Sequence, residues 1–367
     1  MTRKFNLLIF FCLVFISFTS SKNNIKKTNV LPATDLKPYG RYIMNNGQNL
    51  ELVSSAVHFG FSFEGTECQL FASIPNVEGH NYLQYVMDDV YQKRISIAGN
   101  SNQPIELKAE KAGTHSVWIY KATEAHTGPI FIQKITGKNV KPIENSTAPL
   151  IEFIGNSITC GAAADASEIP CNIGEYHDHH NAYDSYGSRV ARALAVNFII
   201  SSVSGIGVYR NWNSDGPTMP QVYEKADFQA QNSQLWDFKS YSPRIVSIAL
   251  GTNDFSKGDN VRKRLPFDSA VFVNTYIQFI QLVKSKYSDA RIALLSSPML
   301  NGETRNSLQN CLTAVKEKVD SLNPSDRKVA LFFFEPMQAH GCSGHPSVED
   351  HAVLAKQLEP FFKELLQ

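Results

Sequence analysis

The hydrophobic period of this chain changes at one place, the polar stretch Thr136–Pro149 (TGKNVKPIENSTAP). The segments on its two sides cannot share one architecture. Upstream, short alternating apolar runs such as Ala56–Phe63, Cys68–Ile74, Tyr82–Met87, Ser116–Tyr120 and Pro129–Ile135 are separated by turn residues like Glu64-Gly65 and Ala98-Gly99-Asn100. Many short strands with no helix between them predict an all-β sandwich over residues 22–140. Downstream, β-rich runs ending near Ile154, Val203, Leu250, Ser296 and Phe334 alternate with helical patterns over Ala182–Ala195, Ala270–Lys286, Arg305–Leu322 and Val348–Leu366. That alternation predicts a parallel sheet covered on both faces, a three-layer α/β/α domain over residues 149–367, joined to the first domain by a linker at 141–148. Open sheets of this kind bind ligands at the carboxyl ends of their strands, so the turns after the strands are where chemistry is to be sought.

The first residues set the expected compartment. Arg3 and Lys4 precede the apolar run Phe5–Phe18, and Thr19, Ser20 and Ser21 come after it, the order of a secretory signal peptide over residues 1–21. The run is short for a bilayer span, and Cys12 lacks the small residues before it that a lipid-anchored leader would show, so no membrane anchor is expected. The expected product is a secreted or periplasmic protein. With 35 Lys and Arg against 34 Asp and Glu, nothing favours a polyanionic partner such as nucleic acid. Beyond the leader stand Cys68, Cys160, Cys171, Cys311 and Cys342, an odd set in which Cys160 and Cys171, closing a short loop, are the expected disulfide pair.

Four of the turns carry candidate chemistry. After the first α/β strand, Gly155-Asn156-Ser157 puts a serine hydroxyl on a tight strand-to-helix turn, though Thr159 breaks the G-x-S-x-G pattern of the α/β-hydrolases. The second strand ends in Ser204-Gly205-Ile206-Gly207 and the third in Gly251-Thr252-Asn253-Asp254. A glycine N–H and an asparagine amide, together with the N–H of the serine, are suitable donors for an oxyanion. Gly344-His345-Pro346, just before the last helix, offers an imidazole as base.

These blocks, in this order and spacing, resemble those of the SGNH (GDSL-like) hydrolases, which implies the same α/β sandwich. Ser204–Asn211, Thr218-Met219-Pro220 and Thr123-Glu124-Ala125 are similar to carbohydrate esterase family 2, in which a jelly-roll β-sandwich precedes the SGNH domain. The resemblance implies a serine esterase that removes O-acetyl groups from plant polysaccharides such as xylan or mannan, with an acetylated polysaccharide or oligosaccharide as partner and no cofactor. Ser157 would be nucleophile, Gly205 and Asn253 would join the Ser157 N–H in an oxyanion hole, and His345 would be general base. One position departs from the SGNH pattern: an aspartate is expected two or three residues before the histidine, where this chain has Ser343 and Cys342. A Ser–His dyad with the imidazole held by a backbone carbonyl, as in some members of that family, is the expected arrangement; Glu349 and Asp350 are further candidates to orient the ring.

Other residues admit ordinary readings. Tyr209 and Trp212 are candidates to stack on a sugar ring. The cluster His177, Asp178, His179 and His180 reads as a solvated loop with no metal, and Trp236 as core. The β domain is expected to act as a rigid support. A glycan-binding protein with a degenerate site, and an SGNH lipase or thioesterase, are the alternative functions.

Overall fold

The computed structural model describes Met1 and residues 29–367, apart from positions 232, 260, 262 and 263. The expected signal peptide lies outside the described residues.

The N-terminal domain is one antiparallel sheet built from β1 (Asn29–Pro32), β2 (Tyr42–Met44), β3 (Leu50–Leu52), β4 (His58–Ser73), β5 (His80–Met87), β6 (Val90–Tyr91), β7 (Ile95–Ala98), β8 (Ile105–Lys121) and β9 (Ile130–Pro142), folded as a jelly roll. β4 lies between β8 and β9, and its ladder to β8 slips between Gly65 and Glu67. Along β4 the side chains of Phe59, Phe61 and Phe63 are fully buried, the period-two pattern of a strand with one face in the core. They pack with Leu70, Leu107, Ile119, Ile132 and Ile135. The stretch read as a linker is partly strand, because β9 continues to Pro142. Its polar residues lie on the outward face, with Lys138 and Asn139 exposed, while Gly137 and Val140 are buried.

The second domain carries the parallel sheet β10 (Leu150–Gly155), β11 (Asn197–Ser202), β12 (Ile245–Ala249), β13 (Arg291–Leu295) and β14 (Ala330–Phe332), in the order β11-β10-β12-β13-β14. Helices α1 (Ser157–Cys160), α2 (Tyr186–Ala193), α3 (Met219–Val222), α4 (Ser269–Lys286), α5 (Gly302–Leu322) and α6 (Val348–Leu366) connect and cover it. Adjacent residues of β10 serve opposite layers. Phe153 packs with Leu354, Leu358 and Phe362 of α6, and Ile154 belongs to the cluster containing Phe272 and Phe279 of α4 and Leu312 of α5. Burial on both faces is why these strands read as continuous apolar runs. Side-chain caps set two helix starts: Asp268 accepts from the Val271 N–H at 3.0 Å, and Ser347 from the Asp350 N–H at 3.2 Å.

One arginine locks the domains together. Arg41, from the β domain, has no exposed surface. Its Nη1 donates to the carbonyls of Tyr223 and Lys225, at 2.5 and 2.7 Å, and its Nε to Ser201 Oγ at 3.2 Å. Its Nη2 lies 3.7 Å from Oε1 of the fully buried Glu152 on β10. The rings of Phe228 and Tyr223 stack on the guanidinium at 4.4 and 4.8 Å.

Candidate active site

The turn after β10 is built so that Ser157 opens α1. Asn156 caps that helix, its Oδ1 accepting from the Ile158 N–H at 3.1 Å. As the first helical residue, Ser157 has an N–H that no helical carbonyl can take up. Gly155 is required just before it, since a Cβ there would lie 2.0 Å from Thr159 Oγ1.

At the far end of the chain, Ser343 and Gly344 both adopt left-handed backbone conformations, φ 52° and 70°. This curls the chain so that the Ser343 carbonyl returns to the ring two residues on and accepts from His345 Nδ1 at 3.0 Å. With Nδ1 carrying the proton, Nε2 holds the lone pair, and it lies 3.0 Å from Ser157 Oγ. Burial holds the imidazole below its ordinary pKa, the Ser343 carbonyl partly offsetting this. Neither acidic candidate touches the ring. Asp350 caps α6 and accepts from the His340 backbone N–H and pairs with its Nδ1, at 2.8 and 2.9 Å, while Glu349 accepts from Ser347 Oγ at 2.9 Å.

Ser157, Gly205, Asn253 and His345 line one cleft of about 550 Å³, together with Trp212, Tyr176 and Met299. Gly205 has φ +74°, a conformation other residues resist, and its carbonyl accepts from the Trp212 N–H at 2.8 Å. Asn253 Nδ2 donates to the Ile206 carbonyl at 2.8 Å, which fixes the amide and leaves its second N–H as a donor. Asp254 organises the same loop from beneath. Its carboxylate accepts from the backbone N–H groups of Val208, Tyr209 and Arg210 at 2.9 to 3.2 Å. Burial nevertheless pushes its pKa up to about 6.

Two expectations are corrected. Tyr209 does not line the cleft: its ring packs against Phe267 and Phe272, and its hydroxyl accepts from the Asp268 N–H at 3.1 Å. Of the two aromatic candidates, Trp212, half exposed, is the one that lines the cleft. The disulfide joins Cys171 to Cys342 instead of Cys160 to Cys171. Cys160 ends α1 inside the core with Sγ 3.0 Å from Ser202 Oγ, whereas Cys171 sits on the outer loop that reaches the histidine turn. Cys68, Cys160 and Cys311 are buried free thiols.

Sequence reasoning missed a network behind the histidine. Tyr176 Oη lies 3.2 Å from His345 Nε2, and its ring meets His180 edge-on at 4.7 Å. His180 Nδ1 accepts from the Ala163 N–H at 3.2 Å, so Nε2 bears the proton and donates to Glu124 Oε1 at 3.4 Å. Glu124 comes from the β domain, and its other oxygen accepts from the Ser204 N–H at 2.6 Å. Burial opposes its charge, but the His180 hydrogen bond and the Ser204 N–H outweigh burial and hold its pKa at about 2. The β domain is therefore part of the site's scaffold as well as its support. Thr123-Glu124-Ala125 was the available signal, without an indication of what Glu124 reaches.

Residues 39–143 match the carbohydrate esterase 2 N-terminal domain, and residues 153–349 match the GDSL-like lipase/acylhydrolase family. An acetylxylan esterase / glucomannan deacetylase of Cellvibrio japonicus is 25% identical over 362 residues, covering 95% of this chain and 96% of that protein. Cellulase/esterase CelE of Acetivibrio thermocellus is 30% identical over 345 residues, 89% of this chain but 39% of that longer protein. The solved family two carbohydrate esterase from Clostridium thermocellum in complex with cellohexaose superposes with a TM-score of 0.77 at 27% identity, covering 90% of this chain and 99% of that one. The family two esterase structure from Cellvibrio japonicus shares the fold at a TM-score of 0.80 and 23% identity, over 92% of this chain and 98% of that one. The chain belongs to the GDSL-like lipase/acylhydrolase family and, through the domain that precedes the hydrolase, to carbohydrate esterase family 2: it is a carbohydrate esterase.

Proposed function

We propose that the protein is a secreted O-acetylesterase acting on plant-type polysaccharides, xylan or mannan, through a Ser157–His345 dyad. The observation that carries this reading is the hydrogen-bonded run from the Ser343 carbonyl through His345 to Ser157 Oγ, each step 3.0 Å. The carbonyl does the orienting work usually given to an aspartate: it fixes the tautomer that leaves Nε2 free to accept the serine proton.

In the reaction, Ser157 Oγ attacks the acetyl carbonyl as His345 Nε2 takes its proton. The oxyanion accepts from the N–H groups of Ser157 and Gly205 and from Asn253 Nδ2. Collapse of the tetrahedral intermediate breaks the ester C–O bond, and imidazolium Nε2–H protonates the departing sugar oxygen. Water, deprotonated by His345, then attacks the acetyl-enzyme and releases acetate and Ser157. Trp212 stands beside the cleft to stack on a sugar ring. The activities named for the Cellvibrio japonicus relatives, on acetylxylan and glucomannan, support the choice of substrate. The leader read in residues 1–21 supports export.

The test is acetate release from acetylated xylan, acetylated glucomannan and a small acetyl ester by wild type, Ser157→Ala and His345→Ala. Wild type is expected to be active, with each variant reduced by about 10⁴-fold or more. A wild type silent on every ester while still binding glycan would instead identify a non-catalytic binding protein, and a preference for long acyl chains would identify a lipase.

A further inference from the structure

His177 and Asp178 part company with the two histidines next along the chain. His179 Nε2 lies 3.1 Å from the Pro170 carbonyl and His180 turns inward to Glu124, whereas His177 and Asp178 face His80 at the start of β5. His80, His177 and Asp178 each offer a ligand atom, all within 4.8 Å of one another. We propose that these three side chains form a divalent transition-metal site, with Zn²⁺ the ion best suited, that staples the β domain to the loop bearing Tyr176.

The donors lie close to the arrangement such a site requires. Asp178 Oδ2 is held by the Glu175 N–H at 2.7 Å, which leaves Oδ1 facing His80 Nε2, 2.5 Å away. Tyr82 Oη donates to the same Oδ1 at 2.9 Å and orients it. His177 Nε2 donates to the His80 carbonyl at 3.2 Å, so its Nδ1 carries the lone pair; a backbone carbonyl on the second ring nitrogen is the usual companion of a ligating histidine. The backbone closes tightly round the carboxylate, since a Cβ on Gly174 would lie 2.1 Å from Asp178 Oδ2. Two imidazoles and one carboxylate suit Zn²⁺. A tetrahedral ion with ligands at about 2.0–2.1 Å needs about 3.3 Å between donor atoms. The His80 ring, 31% exposed, must therefore swing away from Asp178 by roughly 1 Å while the wider donor separations, up to 4.8 Å, close, and water takes the fourth position. Binding at His80 Nε2 takes the place of its hydrogen bond to Asp178, and the imidazole proton moves to Nδ1. A fixed cation close by, Arg94, donates to the carbonyls of Asp178 and His180 at 2.9 Å and is balanced by Asp165 and Glu168 at 4.0 and 3.8 Å. The three ligands stand outside the residues that line the cleft, so the ion is structural.

The full chain, stripped with a chelator, is titrated with Zn²⁺ by calorimetry and with Co²⁺ followed by its visible spectrum, for wild type, His177→Gln, His80→Gln and Ser157→Ala. Wild type and Ser157→Ala are expected to bind one ion and to melt several degrees higher with Zn²⁺. Affinity in the two histidine variants should fall by more than the roughly 10- to 100-fold that loss of an outer hydrogen bond costs a metal site. His177→Gln keeps the His80–Asp178 pair, so it remains informative if His80→Gln does not fold. Wild type that binds no ion overturns the proposal, and so does an ion bound with undiminished affinity by folded His177→Gln.

Discussion

The two sides of the cleft are held by different means. On the proposed oxyanion side, Gly205 and Asn253 sit in the turns after β11 and β12, the strands that flank β10, and are fixed by bonds between those two turns: Asn253 to the Ile206 carbonyl, and Asp254 to three successive N–H groups. On the base side, His345 depends on distant parts of the chain: a disulfide to Cys171, the Tyr176 hydroxyl and, through His180, a carboxylate from the other domain. The oxyanion side is carried on two turns at the edge of the sheet, whereas the base side is suspended between loops. The lesson is that the histidine of the proposed dyad, with no aspartate beside it, rests on a scaffold spread over more of the molecule.

Apart from loss of Ser157 or His345 themselves, the largest expected effect would break the oxyanion side. Asn253→Ala should lower kcat on an acetyl ester by about 10²- to 10³-fold with little change in KM; undiminished turnover would remove that residue from the site. Next comes the carboxylate that joins the two sides. Glu124→Gln keeps the shape but weakens the hydrogen bonds from His180 and the Ser204 N–H, and because hydrogen bonds to charged groups contribute about 1.5–3 kcal/mol, a denaturant melt should show a loss of that order. A smaller effect, confined to the base side, is expected of Cys342→Ser: kcat down by about tenfold, with a thiol reductant reproducing the loss in wild type and doing nothing further to the variant. An equal response of variant and wild type would show that the disulfide does not position the base. Ser343→Gly should be the mildest, within about twofold in kcat, because glycine readily adopts the φ of 52° found there and the carbonyl is unchanged.

The pH profile sharpens the same contrast. Burial lowers the His345 pKa, so the neutral form needed to accept the serine proton persists below the ordinary imidazole value. The acid limb of kcat/KM for wild type should therefore fall below pH 6.5. A limb at or above that value would mean that another group controls the rate.

The architecture was legible because hydrophobic period reports directly on which faces are buried: Phe59, Phe61 and Phe63 alternate, and β10 is apolar nearly throughout. Ser157, Gly205, Asn253 and His345 could be singled out because the four turns that hold them match, as a set in order and spacing, the blocks of the SGNH hydrolases, although each turn alone has an ordinary reading. The base-side scaffold could not. Glu124 lies 56 residues from its partner His180, and Cys171 lies 171 from Cys342, so no local pattern couples them. Cys160 was the nearer partner in sequence but points into the core, and Tyr209 has the composition of a sugar platform with the surroundings of a core residue. Metal ligands fail for the same reason, since His80 is 98 residues from Asp178.

Arg41 bears on how such proteins can be recombined. The hydrolase domain carries Glu152 on β10, an interior strand of its sheet, without exposed surface, and the arginine beside it comes from the domain in front. A gene cut at the domain boundary would leave that carboxylate facing an aromatic hollow without this counter-ion, and stranding one member of a buried pair typically costs about 3–5 kcal/mol. That is a large share of what holds most folded domains together. The two modules are thus coupled: exchanging the β partner at no cost to the hydrolase domain would call for one that brings an arginine to the same hollow, or for loss of the glutamate.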